Sequence, residues 1–445
     1  MRFTKRKLAA AFALAAAVAA PGAFATNGMN MQGYGPIAYG MGGASMAYDN
    51  GAAAVMNNPA TLAMMGSGTS RFDIAVGVLA PNVDASFGGM VEARSYGGPY
   101  LMPAVGYIRK DGNIAWGLGV FAQGGMGTDY SAESFLALGS GDTVRSELGV
   151  GRFILPIAYN ATPDLTIGAS LDYVWATLDL KMALTGAQLG GLVTACSGPA
   201  CPGLPGLGAL PWVRLDFSDS SDFNGSAKGT GFAGKLGATY RVSPDLSIGL
   251  AWHSKTSLSD METGDSDAAL SGQGVGNLGT GKILVRDFQW PETWAAGMAL
   301  NATKNLMMAL DVKYIKWKDV MKDFKMTYEG SVMSAPGNTI DFALPQNWKD
   351  EPVFQLGFAY RASEPLTVRW GINVGGTVIP DGNVNPLFPA IMKDHYTFGL
   401  GYAFSKASEL NVGFAYAPQN CATADSGVQS CTGGQSAQLM YSAKF

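Results

Sequence analysis

Apolar and polar residues alternate with a period of two along most of this chain. That pattern predicts strands with one side turned toward an apolar surrounding. Between 165 and 175, Leu165, Ile167, Leu171, Tyr173 and Trp175 share one face, and Thr166, Ser170 and Asp172 share the other. Between 246 and 255, Leu246, Ile248, Leu250 and Trp252 oppose Ser247, Gly249, His253 and Lys255. Leu306, Met308, Leu310, Val312 and Tyr314 oppose Asp311 and Lys313, and Leu366, Val368, Trp370, Ile372 and Val374 oppose Thr367, Arg369 and Asn373. Short polar turns rich in Pro, Asp, Asn and Gly recur between such segments, as in Tyr159-Asn-Ala-Thr-Pro-Asp-Leu165 and Tyr240-Arg-Val-Ser-Pro-Asp-Leu246. One strand on each side of every short turn, one near 70–80 and a terminal one give an expected total of about 14 antiparallel strands. A β-sandwich would alternate too, but its apolar faces need a second sheet. Here the opposite faces carry mainly Gly, Ser, Thr and scattered charges.

The chain ends on such a strand: Phe445, Ala443, Tyr441, Leu439 and Ala437 fall on one face. This resembles the last strand of a bacterial outer-membrane β-barrel, which also carries the signal read by the barrel assembly machinery. At the other end, Arg2, Lys5, Arg6 and Lys7 precede an apolar run from Leu8 to Ala20, followed by the small-x-small site Ala23-Phe-Ala25. Residues 1–25 are therefore expected to be a secretory signal peptide. Its removal takes the formal net charge from −4 to −8, which argues against nucleic acid as a partner. Charged residues are only 14% and hydrophobic ones 47%, yet no later segment is apolar for the length a membrane helix needs. Low charge without apolar runs is the composition of a transmembrane β-barrel. Tyr107, Tyr159, Tyr240 and Tyr360, each just before a turn, predict an aromatic girdle at one interface.

The connections at the other end are long. The longest, 181–229, carries Leu184, Leu189, Leu192, Leu204, Leu207 and Trp212, which predict a loop that captures apolar ligands; a loop packing a small core of its own is the plainer reading. Four cysteines lie as Cys196/Cys201 and Cys421/Cys431 in two Gly-rich segments, and local pairing is the simplest of three connectivities. No His stands near either pair, so no metal site is expected. The acidic run Asp260, Glu262, Asp265, Asp267 lacks the spacing of a calcium loop. With only His253 and His395 in the chain, no enzyme and no cofactor are expected. Lys255, Lys313 and Arg369 face inward by strand parity and are candidate partners for a ligand carboxylate; pairing with Asp172 or Asp311 is the plainer role.

Residues 26–68 lack alternation and are rich in Gly, Ala, Met and Asn. The run Gly40-Met-Gly42-Gly43-Ala44, the tripeptide Asn58-Pro59-Ala60 and the stretch Gly119–Tyr130 resemble the FadL/TodX family of outer-membrane hydrophobic-compound transporters. The resemblance spans the mature chain. It implies an all-β, 14-stranded antiparallel transmembrane β-barrel over 69–445, with 26–68 as a hatch plugging the lumen. It further implies a third-strand kink, here at Gly124, Gly125 and Gly127, opening a gap in the wall. Gln123-Gly124 stand where the family often has an aromatic residue or Pro. The implied function is passive uptake of long-chain fatty acids or other hydrophobic compounds: capture by outer loops, a pocket in the lumen, a hatch shift and lateral exit. A general aqueous porin is the alternative. The expected surroundings are outer-membrane lipid and lipopolysaccharide, and a monomer is expected.

Overall fold

A computed structural model describes residues 27–221 and 224–445; the expected signal peptide lies outside the described residues. The strands are β1 (Thr69–Phe87), β2 (Val91–Arg94), β3 (Tyr100–Asp111), β4 (Ile114–Tyr130), β5 (Val144–Asn160), β6 (Leu165–Leu184), β7 (Val193–Ser197), β8 (Val213–Asp216), β9 (Ala227–Ser243), β10 (Leu246–His253), β11 (Ser257–Leu258) and β12 (Met261–Glu262). They continue with β13 (Ala268–Gly272), β14 (Gly276–Arg286), β15 (Thr293–Asn301), β16 (Leu306–Ile315), β17 (Asp323–Val332), β18 (Ala335–Pro345), β19 (Glu351–Arg361), β20 (Leu366–Val374), β21 (His395–Ser405), β22 (Ser408–Thr423) and β23 (Val428–Lys444).

Antiparallel pairing runs from β1 through β3, β4, β5, β6, β9, β10, β15, β16 and β19 to β20, β21, β22 and β23, and β23 returns to β1. The sheet is thus closed on itself. The expected sheet of about 14 strands is corrected: fourteen strands make up the closed circuit just traced, but the continuous sheet holds 23. The undercount arose because segments read as outward loops form strands of their own. From 181–229, β7 pairs with β18, and β8 with β6 and β13; from 258–285, β13 pairs with β14, which also pairs with β17. β7, β8 and β13 are only four or five residues long and too short to show a period, whereas β14, β17 and β18 are as long as wall strands but lie in segments read as loops.

The wall turns its apolar side outward. Leu171 is 56% exposed while its neighbour Asp172 is fully buried. Tyr159, Tyr240, Tyr360, Tyr402 and Tyr441 are all exposed near the short turns, the band expected at a membrane interface. The seam closes at the last residue: Phe445 N donates to Ser70 O at 3.0 Å and Ser70 N donates to Phe445 O at 2.6 Å. Above the hatch, the outward strands enclose an apolar core that includes Phe217, Tyr328 and the edge-to-face chain Trp290–Trp317–Trp348, with ring centroids 5.6 and 5.0 Å apart.

Candidate functional site

Residues 27–68 fill the lumen with one helical turn, α1 (Pro36–Tyr39), and two 3-10 turns, Ala52–Val55 and Pro59–Met64. The sequence dictates the last of these locally. Asn58 caps it, its side chain accepting from Ala60 N at 3.1 Å, and Pro59 supplies a preset φ and no donor at the first position. Gly42 and Gly43 both have positive φ, which lets the backbone reverse.

An irregular segment has many unpaired backbone groups, and all need partners when buried. The lumen face of the wall supplies them. Asp311 accepts from Ser45 N at 2.6 Å and Met46 N at 3.0 Å. Asp73 accepts from Ala52 N, Thr397 from Gly42 N, and Gln355 and Asn373 donate to Gln32 O and Gly42 O. Arg71 holds Asp49 with bonds of 2.6 and 2.9 Å. Burial pushes the Asp49 carboxyl up, but the Arg71 guanidinium outweighs it and holds Asp49 below the usual carboxylate range. The buried Tyr39 phenol is pushed up to about 12 and bonds Ser436. Glycines on the wall admit the hatch: a Cβ on Gly371 would lie 2.5 Å from Gly42 N, and one on Gly399 3.1 Å from Gly40 Cα.

The wall is incompletely paired at one place. β3 and β4 pair from Asp111↔Ile114 up to Ala104↔Phe121. Above that, Tyr100–Pro103 pair only with β1, and Gly124–Tyr130 pair along β5. The register of β4 against β5 shifts between Ala122 and Gly124, so Gln123 is an extra residue in a bulge. The Gln123 carbonyl accepts from Tyr34 Oη at 2.7 Å, and its side chain accepts from Arg152. In place of β3, the hatch partners the kink: Asn30 bridges Gly124, and Gly125 N donates to Met29 O at 3.2 Å. Asn58-Pro59-Ala60 lies against β6 and β9, where Asn58 Nδ2 donates to Ala238 O at 3.3 Å. Gly127 is packed against Tyr100.

At this gap lies a cavity of about 330 Å³. Its walls are mainly apolar, including Leu79, Leu101, Met102, Phe121, Met126 and Trp175, together with Gly124, Gly125 and Gly127. Glu147 and His395 are its titratable side chains besides two tyrosines; no Lys or Arg lines it. The expected inward cations are elsewhere. Lys255 follows the end of β10 and is exposed, which corrects its expected inward placement: the strand stops at His253, so parity no longer applies. Arg369 is buried and donates to Asn411 Oδ1 at 2.9 Å, with Glu409 at 4.0 Å. Lys313 lies on the lumen face beside Asp311, away from the cavity, in a separate polar chamber with Arg152, Lys235 and His253. There Arg152 and Lys235 both pair with the buried Asp172, a cluster built by β5, β6 and β9 that the sequence reading missed. His253 shares a hydrogen bond of 2.8 Å with Asn57 O.

The long segment 181–229 packs inward. Helix α2 (Gly186–Leu192) opens on Thr185 with a capping box closed by Gln188. Leu189 and Leu207 are buried, and Leu184, Leu192 and Leu204 are partly buried against the same upper core. Trp212 is half-buried. Both disulfides join local partners, Cys196–Cys201 and Cys421–Cys431. The acidic run serves the scaffold: Asp260 pairs with Arg286 and Glu262 with Lys282.

Residues 12–444 match the model of a family described as outer membrane protein transport protein (OMPP1/FadL/TodX). The structure is similar to that of the Pseudomonas putida toluene transporter TodX, with a TM-score of 0.83 and 31% identity over 93% of this chain and 99% of that one. It is also similar to the Ralstonia pickettii toluene transporter TbuX, with a TM-score of 0.76, 31% identity and the same coverage. A curated Chlorobium limicola relative, an uncharacterized protein from the 5′ region of a phosphoenolpyruvate carboxykinase gene, is 43% identical over 88 residues; these are 20% of this chain and 43% of the relative.

Proposed function

Because the chain belongs to the outer membrane protein transport protein family (OMPP1/FadL/TodX), we propose that it passes neutral hydrophobic compounds inward through the Gram-negative outer membrane, without energy input, by way of the cavity at the β3–β4 gap. One observation carries the reading: an apolar cavity stands where the wall lacks pairing and a hatch strand covers the opening. Unpaired backbone in lipid is costly and persists where it lines a passage or is covered by protein. A hydrophobic compound gains about 0.8 kcal/mol per methylene on leaving water, so a dry pocket draws it in and lipid accepts it sideways. Neutral compounds are favoured over fatty acids because no cation lines the cavity to meet a carboxylate. TodX and TbuX are toluene transporters, which supports a compact hydrocarbon-like substrate. The leucines of 181–229 are largely turned inward, so the cavity rather than this segment supplies the apolar surface for capture. The reading includes a monomer surrounded by lipopolysaccharide, with Phe445 read during assembly.

The test uses the covered kink. Asn30→Cys with Gly124→Cys, cross-linked across their bridge, should abolish uptake of labelled toluene by intact Gram-negative cells, whose lipopolysaccharide leaflet blocks direct partition into lipid. Reduction should restore it, with reduced wild type as control. Unchanged uptake in the cross-linked protein would refute the route. Swelling of proteoliposomes with sugars would favour the aqueous porin.

A further inference from the structure

The cavity contains one polar ring that the fold does not use. His395 opens β21 and turns into the lumen, where it is 4% exposed and lines the cavity with Ala417, Pro389 and Met392. Its Nδ1 is covered by protein and has no hydrogen-bond partner among the described residues, so a ligand reaches it when the side chain turns toward the cavity. The other histidine behaves differently, since its ring nitrogen is satisfied by a hatch carbonyl. Buried polar groups in native structures are nearly always paired, so an unpaired ring at the wall of a pocket marks a place for a partner that arrives with the ligand.

The chemistry of that partner follows from the surroundings. A neutral imidazole presents one donor and one acceptor. A hydroxyl can serve either, because it both donates and accepts. The Glu147 carboxylate on the wall is already held by Arg145, and no Lys or Arg lines the cavity to meet a ligand carboxylate. A bare hydrocarbon leaves the ring unpaired. Resting on the uptake reading above, we propose that His395 is the specificity-determining contact, and that the cavity prefers hydrophobic compounds bearing a single neutral hydroxyl, phenols or alcohols, over the matched hydrocarbon.

Sites built to bond a hydroxyl discriminate against the analogue lacking it, because a polar group is then left unpaired. The experiment compares toluene with 4-methylphenol, the same ring skeleton with and without the hydroxyl, by titration calorimetry on the folded protein in detergent. Wild type should bind 4-methylphenol about fivefold to tenfold more tightly. His395→Leu should erase that preference, and His395→Asn should retain part of it. A second readout does not depend on any variant: the imidazole nitrogen resonances of labelled wild-type protein should move on adding 4-methylphenol and stay fixed with toluene. Equal affinities in wild type, a preference that survives in His395→Leu, or unmoved resonances would each overturn the assignment. Binding of toluene alongside those results would leave the uptake reading standing; binding of neither compound would remove both.

Discussion

Replacing Asp311 by Ala should release the hatch while leaving the barrel intact. The carboxylate is 1% exposed and accepts from two hatch amides, Ser45 N at 2.6 Å and Met46 N at 3.0 Å. Alanine leaves both amides without that acceptor. A buried donor left unpaired costs roughly 1–3 kcal/mol, and water entering the vacated space recovers part of it. The net loss in hatch docking is then about 3 kcal/mol, or roughly a hundredfold in the open population. The facing position is Gly297, where a Cβ would lie 2.6 Å from Asp311 Cγ and 2.9 Å from Met46 Cβ, so no nearby side chain can take over the role. Hydrogen exchange followed by mass spectrometry reads the effect directly. Amides of residues 41–48 should exchange roughly a hundredfold faster in the variant, while amides of β22 and β23 keep wild-type protection. Asp311→Asn, which keeps an acceptor oxygen, should lie between. A folded Asp311→Ala protein with unchanged exchange over 41–48 would refute the claim that wall carboxylates hold the hatch.

Two further outcomes are expected. Deleting Phe445 removes both backbone bonds to Ser70 and the ring beside Tyr107, so the yield of heat-modifiable folded barrel should fall on electrophoresis; a wild-type yield would count against a role in closure. The Asp49–Arg71 pair gives a pH dependence with a definite sign. A carboxyl depressed in the folded state contributes stability above its unfolded value, near 4, and loses it as pH falls through the lower folded value. Exchange over 48–51, a stretch held by Asp49 rather than by Asp311 or Asp73, should therefore rise as pH falls below about 4 once intrinsic rates are corrected, a rise that Asp49→Asn abolishes.

Much of the wall was legible because lipid imposes period two on every strand. Leu165 to Trp175 and Leu306 to Tyr314 could be oriented from parity alone. Parity failed where strands ended early, as at His253, which left Lys255 outside. It failed also for β7, β8 and β11 to β13, which are too short to show a period and are set by neighbours distant in sequence. Loop 181–229 looked like an apolar lure because composition reports how many leucines there are, and says nothing of which way they turn. The site was half visible. The resemblance pointed to Gly124, Gly125 and Gly127, but not to their partner Met29–Asn30, since a bridge between a hatch and a strand leaves no local trace. A signal for the hatch contacts was present: Gly249, Gly371, Gly399 and Gly413 recur on the lumen side of their strands. Read as close approaches of another backbone, they would have located the plug.

The pairing of β1 with β23 carries a consequence for how the molecule is made. Arg71 lies against Lys444 and Phe87 against Val428, so the seam joins the two ends of the strand series. Every other wall contact links strands that are neighbours in the circuit and mostly adjacent in sequence, and can form as chain arrives. This one must wait until the final strand exists, and it closes a loop of nearly the whole chain at the corresponding entropic expense. Until then two long strands present open edges ready to zip onto any other strand. A nascent chain therefore stays vulnerable to wrong partners for the full duration of its synthesis and export, and a translational stop anywhere before the last strand yields a sheet that cannot protect itself, however well its earlier hairpins have formed.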